Sequence, residues 1–291
     1  MTFTIRQATP DDLEQIIGLF KHGFAPAVQP ILIEDIQGAF EGNSCIPFVA
    51  ATDGTIIGHA RIRYINPDKA HFGSLVVNEA YRNRGVATAL SKARVAYLKE
   101  HNFQGIAYSD AVTLHPYSQQ QLFAVGFSPI RILPGSFPDH GAGLETNIGF
   151  VQIFSPVELW KPESTELSLY LAPEYRAIAT ETLNHFGVVA FKETTTESPG
   201  ERTKSFVVSE NPEKIYAVRL YEPAAPAEIS LLRSKGCIIA GFTPVIKDGQ
   251  LSAVAHMYRA PDIVLNRNKI KVIPAAERLF DFVWEQYASV R

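Results

Sequence analysis

The stretch Arg82-Asn83-Arg84-Gly85-Val86-Ala87 could bind an anion, and its surroundings sharpen that reading. An apolar run, Leu75-Val76-Val77, leads into it with the character of a buried strand. Val86, Leu90, Ala93 and Tyr97 then recur at helical spacing, so a helix opens directly behind it. The first N–H groups of a helix have no intrahelical acceptor, and the helix dipole favours negative charge there. Gly85 and Ala87 are small enough for an anion to approach the backbone, and Arg82 and Arg84 add positive charge. Diphosphate binding is the chemistry this arrangement suits. On spacing alone, a glycine N-cap beside two surface arginines also accounts for it.

The elements around this turn alternate strand and helix. Phe3–Ala8 reads as a strand, and Thr9-Pro10-Asp11-Asp12 as a helix start with Thr9 as N-cap. A second helix is expected over Ile33–Phe40. Pro47–Thr52 and Ile56–Ile65 flank Asp53-Gly54, a hairpin signal. Strands follow over Phe72–Val77 and Gly105–Val112, with the helix Gly85–Glu100 between them. Pro116–Val125 is helical with Gly126 at its C-cap. Phe127–Leu133 and Ile148–Phe154 read as strands around a Gly- and Pro-rich loop, Pro134–Gly143. After Ser155-Pro156 a second half begins. It reads as strand Glu166–Leu171, helix Pro173–Phe186, exposed loop Glu193–Lys204, strands Ser205–Ser209 and Lys214–Tyr221, and helix Ala224–Lys235. A hairpin, Ile238–Ile246 with Leu251–Tyr258, and a last helix from Pro274 to about Ser289 complete it.

An internal repeat links the halves. Leu114-His115-Pro116 leads through a helix to Gly126-Phe127-Ser128-Pro129-Ile130. Leu220-Tyr221-Glu222-Pro223 leads through a helix to Gly236-Cys237 and then Gly241-Phe242-Thr243-Pro244-Val245. Val77-Asn78-Glu79-Ala80-Tyr81-Arg82 is echoed by Leu171-Ala172-Pro173-Glu174-Tyr175-Arg176.

Composition removes several function classes. Lys+Arg 27 against Asp+Glu 30 leaves a net charge of −3, without the basic excess of a dedicated nucleic-acid binder. No apolar run approaches the roughly 18 residues of a membrane span, and no signal peptide is visible in MTFTIRQATPDD. Cys45 and Cys237 read as reduced thiols of a cytoplasmic protein. The scattered histidines give no metal-ligand spacing. No Gly-x-Ser-x-Gly elbow or Walker loop is present, and Arg82–Ala87 lacks the Gly-x-Gly-x-x-Gly of a dinucleotide-binding oxidoreductase.

Arg82-x-x-Gly85-x-Ala87 after a Val-rich strand resembles the signature of the GNAT superfamily of CoA-dependent N-acyltransferases. TIRQATPDDLEQIIGLF resembles the family's first strand and helix. FVAATDGTIIGHARI resembles its second and third strands, and Ala124-Val125-Gly126-Phe127 the end of its later motif. The run Ala111–Gln119 resembles a bacterial subgroup, also found fused to histidine-kinase-like ATPase modules, that pairs the acyltransferase with a degenerate second copy. The resemblance implies a mixed α/β sheet with splayed central strands: a GNAT fold over residues 1–154, followed by a degenerate GNAT-like domain over 156–291. It implies acetyl-CoA as co-substrate, with pantetheine between Phe72–Val77 and Gly105–Val112. The backbone of Val77 would pair with its amides, and the diphosphate would sit on Arg82, Arg84, Gly85, Val86, Ala87 and Thr88, with Ser118 also contacting CoA. The acceptor would be a primary amine on a small molecule or a protein.

Against the family pattern, Leu122 stands where many members carry a tyrosine acid, and His115 where many have Asn. The second half has no glycine after Tyr175-Arg176, so CoA binding is expected in the first half only. Four residues are candidates for acid and base. His71, near where family bases sit, has a pKa class suited to the task, or is a surface histidine beside Lys69. Asp110 is an acid in an apolar strand, functional or structurally hydrogen-bonded. His115 and Tyr117 lie near the expected thioester, as acid or substrate contacts, or as turn and packing residues. A non-catalytic acyl-CoA sensor is the competing reading.

Overall fold

The computed structural model describes residues 2–42, 44–138, 144–154, 166–193 and 215–290. In chain order the strands and helices are β1 (Thr4–Gln7), α1 (Leu13–Gly23), α2 (Gln29–Phe40), β2 (Cys45–Thr52), β3 (Thr55–Asn66), β4 (Lys69–Val77), α3 (Val86–Glu100), β5 (Gly105–Val112), α4 (Tyr117–Ala124), β6 (Ser128–Pro138) and β7 (Leu144–Phe154). They continue with β8 (Glu166–Leu169), α5 (Pro173–Leu183), β9 (Val188–Phe191), β10 (Ile215–Arg219), α6 (Ala225–Ser234), β11 (Cys237–Lys247), β12 (Gln250–Arg259) and α7 (Pro274–Val290).

Ten strands form one mixed sheet in the order β1-β2-β3-β4-β5-β7-β6-β11-β12-β10, and β8 pairs with β9 in parallel beside it. β4 and β5 are parallel, so the chain leaves both at the same end of the sheet, and α3 and α4 both start there. Ligands gather at such carboxyl ends. The β2–β3 hairpin turns at Asp53 and Gly54, with φ of 48° and 77°, as an Asp-Gly type I′ turn requires. At the N-terminus, a short 3-10 turn, Pro10–Asp12, precedes α1. The Asp12 carboxylate accepts from the Thr9 N–H at 2.8 Å and pairs with Arg6 at 2.6 Å.

The sheet order from β5 outward reads 5-7-6 and then 11-12-10. The second triple therefore reverses the first, with β6 and β11 meeting at the centre. They bridge at one position, Arg131 opposite Gly241. Nearby, the Gln286 carboxamide of α7 accepts from the Ile239 N–H and donates to its carbonyl, both at 3.0 Å, so α7 takes up backbone groups of β11 beside the bridge. Two core clusters draw on both halves. One joins Leu90, Leu122 and Ile148 to Ile238, Phe280 and Val283, and the other joins Ile106, Ile130 and Val151 to Leu169, Ile178 and Phe242. Fully burying each such side chain stabilises by about 1.5–3 kcal/mol.

Three details depart from the sequence reading. β6 runs through Pro134-Gly135 to Pro138 where a loop was expected, with a register shift between Leu133 and Phe137 accommodating the proline. β9 has no counterpart in the expected elements, because four residues carry too little periodicity to stand out. The helices fit the repeat in a different register. α4 and α6 each end in a left-handed glycine, Gly126 and Gly236, so Gly126 corresponds to Gly236 rather than Gly241. The expected loop Glu193–Lys204 from residue 194 on, the strand Ser205–Ser209 and the connection from Ser155 to Val157 lie outside the described residues.

Candidate functional site

β4 and β5 pair only at Lys69–Ile106, Ala70–Ala107 and His71–Tyr108. Beyond His71 the strands part, and Val76 and Val77 pair with β3 alone. A bulge lies in that parted stretch, with Ser74 at φ 51° and two residues of β4 opposing one of β3. Such a bulge takes backbone groups out of the ladder and re-aims them. It is pinned from three sides. His59 Nδ1 lies 3.1 Å from the Ser74 carbonyl, and Arg61 Nε donates to Ser74 Oγ at 2.9 Å. Arg94, buried on α3, donates to the Arg61 carbonyl at 3.2 Å and sits over the Phe72 ring at 4.4 Å. Burial pushes Arg94 down to about 9 and His59 down to about 3, so His59 is a neutral structural imidazole.

Past Val77 the chain makes a short turn and reaches Arg82–Gly85. Gly85 is the N-cap of α3 at φ 79°, with no side-chain cap for the first turn, and a Cβ built on it would meet nothing within 4 Å. Arg82, Asn83, Arg84 and Gly85 are exposed, Val86 is buried, and Ala87 and Thr88 are half-buried. Arg84 lies over the Tyr81 ring at 5.6 Å, and Arg82 Nε donates to the Val77 carbonyl at 3.4 Å. An uncapped N-terminus of a 15-residue helix, open in front and flanked by two arginines, fits a diphosphate. In the second half Arg176 Nε donates to the Leu171 carbonyl at 3.0 Å in the same five-residue relation, but α5 has already begun at Pro173, leaving no loop between strand and helix.

The face of the sheet that carries His71 is polar. Strand register sets Arg63 opposite His71, His71 beside Tyr108, Asp110 opposite Gly149, and Gly149 opposite Arg131. Asp35 of α2 pairs with Arg61 at 2.8 Å and also with Arg63. His71 lies against the Tyr108 ring, centroids 4.7 Å apart, and Lys69 Nζ sits 5.2 Å from the same ring. Desolvation, followed by Arg61, Arg94, Arg63 and Arg131, holds His71 down to about 3. The imidazole is thereby held neutral and weakly basic. Asp110 moves the other way, because burial raises its carboxyl and Arg131 opposes this only in part. Its Oδ1 is buried without a hydrogen-bond partner among the described residues, 3.9 Å from Arg131 Nη2.

His115 and Tyr117 are together, ring centroids 5.0 Å apart, at the turn from β5 into α4. Tyr117 is 65% exposed, while His115 Nδ1 and Ser118 Oγ are buried without hydrogen-bond partners among the described residues. Leu122 is 3% exposed within the core, so its position offers no acid. Residues 271–273 strap this turn. Gln119 donates to the Val112 and Lys271 carbonyls at 2.9 and 2.7 Å and accepts from the Ile273 N–H. Arg131, Gly149 and His256 were not among the sequence candidates; the strand pairing sets Gly149 and Arg131 beside Asp110, and His256 beside Arg131. A cavity of about 550 Å³, lined in part by Tyr64, Asn66, His101 and Phe103, lies at the opposite end of β4 and β5. Among the described residues no group of three or more His, Cys, Asp or Glu is placed to hold a metal, and no helix is long and apolar enough to cross a membrane.

Comparison with known proteins gives one family. Residues 12–127 match the family described as Acetyltransferase (GNAT) family. No curated protein matches. Similar solved structures include the ribosomal-protein-S18-alanine N-acetyltransferase from Escherichia coli, 16% identical over 54% of this chain and 96% of its own, with a TM-score of 0.47. Arabidopsis thaliana NAA60 in complex with a bisubstrate analogue is 20% identical over 52% and 98%, at 0.44. Ard1 from Thermoplasma volcanium is 19% identical over 54% and 100%, also at 0.44.

Proposed function

From the match of residues 12–127 to the GNAT acetyltransferase family, we propose that the first half transfers an acetyl group from acetyl-CoA to a primary amine by direct attack in a ternary complex. The observation that carries this is the parting of β4 and β5 after three paired positions, with the pinned Ser74 bulge in the gap and the uncapped α3 N-terminus behind it. The gap suits the pantetheine, with Val77 offering backbone groups. The diphosphate sits at Arg82–Thr88, with Ser118 across the gap. Re-aimed peptide groups at the bulge polarise the thioester carbonyl.

Asp110 is the proton acceptor. It lies two residues past the last paired position of β5, its carboxyl is raised by burial, and its Oδ1 is free to receive the ammonium proton directly or through water. The amine then adds to the carbonyl, and as the intermediate collapses the C–S bond breaks, the nitrogen gives up its second proton to solvent and the thiolate takes a proton. Tyr117, Ser118 and His115 are the groups at the α4 end that can supply it. His71 stays uncharged and shapes the acceptor side against Tyr108. The acceptor amine belongs to a small molecule or a protein.

Residues 156–291 are best read as a degenerate copy of the catalytic half. The reversed strand order 11-12-10, the matched glycines Gly126 and Gly236, and the matched contacts of Arg82 and Arg176 support this. A second reading, an acyl-CoA-binding regulatory module, draws on buried Leu122 at the usual position of the acid. Thiol release from acetyl-CoA across an amine panel separates them: turnover lost in Asp110→Asn with CoA affinity intact supports the enzyme, and CoA binding without turnover of any amine supports the regulatory module.

A further inference from the structure

The polar row beside Asp110 does not end in the first half. Arg131 faces Gly241 across the junction, and Gly241 faces His256 on β12. His256 is 3% exposed, and Arg131 Nη1 approaches its ring nitrogens at 3.3 Å (Nε2) and 3.5 Å (Nδ1). Two glycines make room for this. A Cβ on Gly149 would lie 2.7 Å from Arg131 Nε, so the guanidinium stem crosses where a side chain would stand. A Cβ on Gly241 would lie 2.2 Å from the Ile130 carbonyl oxygen and 2.4 Å from Arg131 Cα, so the strands could not meet with any side chain there. In the reversed order of the second half, Ala217 holds the position of Asp110, Gly241 that of Arg131 and His256 that of Gly149. The second half thus lacks the acid and the arginine, and carries an imidazole that reaches back across the junction.

We propose that His256 is a positioning residue for the acetyl transfer site: by holding Arg131 Nη1 against its imidazole ring it keeps the guanidinium off Asp110, which leaves Asp110 Oδ1 unpaired for the acceptor ammonium. This rests on the assignment of Asp110 as proton acceptor. At 3.9 Å the Asp110–Arg131 pair is too long for a hydrogen bond, yet both groups are largely buried and both retain unpartnered atoms, Asp110 Oδ1 and Arg131 Nε. A buried arginine and carboxylate this close gain by closing into a fork unless something else holds the arginine. Around the pair lie Lys69 and His71 of β4, Tyr108 of β5 and Tyr258 of β12, with Arg61 and Arg63 of β3 acting on His71 and Tyr108, so the further charges at the pair are cations. Lys69 is a cation and offers the guanidinium no acceptor; the side-chain contacts that Arg131 makes are to His256 and Asp110. Removing the imidazole lets Arg131 close on Asp110, occupying Oδ1 and lowering its carboxyl.

The test uses the full chain. His256→Leu keeps bulk and removes the acceptor, whereas His256→Gln restores an acceptor oxygen. The expected result for His256→Leu is a fall of roughly tenfold or more in kcat/KM for the amine, with the acid limb of the pH–rate profile moved about one unit lower and CoA affinity unchanged. His256→Gln should recover most of the rate and the original limb. Gly149→Ala, which pushes Arg131 from the first-half side, should disturb the same limb and decides the matter if His256→Leu does not fold. A wild-type profile in folded His256→Leu, a limb moved upward, or an undisturbed limb in Gly149→Ala overturns the proposal. If Asp110→Asn leaves turnover intact, the assignment of Asp110 fails first; if it abolishes turnover while His256→Leu changes nothing, only the role of His256 fails.

Discussion

Substituting Gly85 separates the folding role of the α3 N-terminus from the diphosphate binding proposed for it. Gly85 sits at φ 79° and a Cβ there meets nothing within 4 Å. A substitution therefore costs backbone strain without a clash, about 1–2 kcal/mol for a left-handed L-residue. Gly85→Ala and Gly85→Glu share that cost, so they should show similar thermal midpoints, both below wild type. They differ in charge. A glutamate carboxylate about 5 Å from one unit of diphosphate charge costs about 1 kcal/mol in bulk-like solvent and about 3 kcal/mol at an effective dielectric of 20. That corresponds to a roughly 5- to 150-fold weaker Kd. Titration calorimetry with CoA on the full chain reads the difference directly, with melting curves as the folding control. Gly85→Ala should bind within a few-fold of wild type, and Gly85→Glu at least fivefold weaker than Gly85→Ala. Equal affinities of the two variants would refute the placement of the diphosphate at this helix end.

Calorimetry on the wild-type chain should also return about one CoA per chain, because α5 starts at Pro173 without a preceding glycine loop; two equivalents would contradict this. Stability should fall as pH drops from about 7 toward 5. The folded chain holds His59 and His71 unprotonated to about 3, while the unfolded chain protonates them near pH 6.5. Unfolding then binds more protons, so each imidazole removes up to about 1.4 kcal/mol per pH unit in that window, and His256, also depressed, adds to the slope. Urea midpoints equal at pH 7 and pH 5.5 would show that these imidazoles are not held neutral. Residues 1–154 expressed alone should be insoluble or poorly stable, since both core clusters take side chains from beyond residue 166. A monomeric fragment with full turnover would exclude any contribution of the second half.

The local chemistry of this chain determined most of its elements. Asp53-Gly54 can only turn one way cheaply, Val86 and Leu90 lie on the buried side of α3 with Ala93 and Tyr97 half-buried beside them, and the glycine before them marks the helix start. Those signals lie within a few residues of one another, so a linear reading finds them. It also found Asp110, because a carboxylate inside an apolar strand is conspicuous anywhere. What surrounds Asp110 was settled only by tertiary structure. Arg131 reaches it because Gly149, nearly 20 residues later in sequence, leaves a gap on the neighbouring strand. His256 reaches Arg131 because β6 and β11 meet at a single bridge. The basicity of His71 was likewise invisible in its neighbours in sequence, since it depends on burial and on arginines from β3, α3 and β6. The proposed repeat shows both limits at once: short matching segments suggest it, but the register we propose for it rests on which glycine ends each helix, and that follows from backbone geometry rather than from the most similar string of letters.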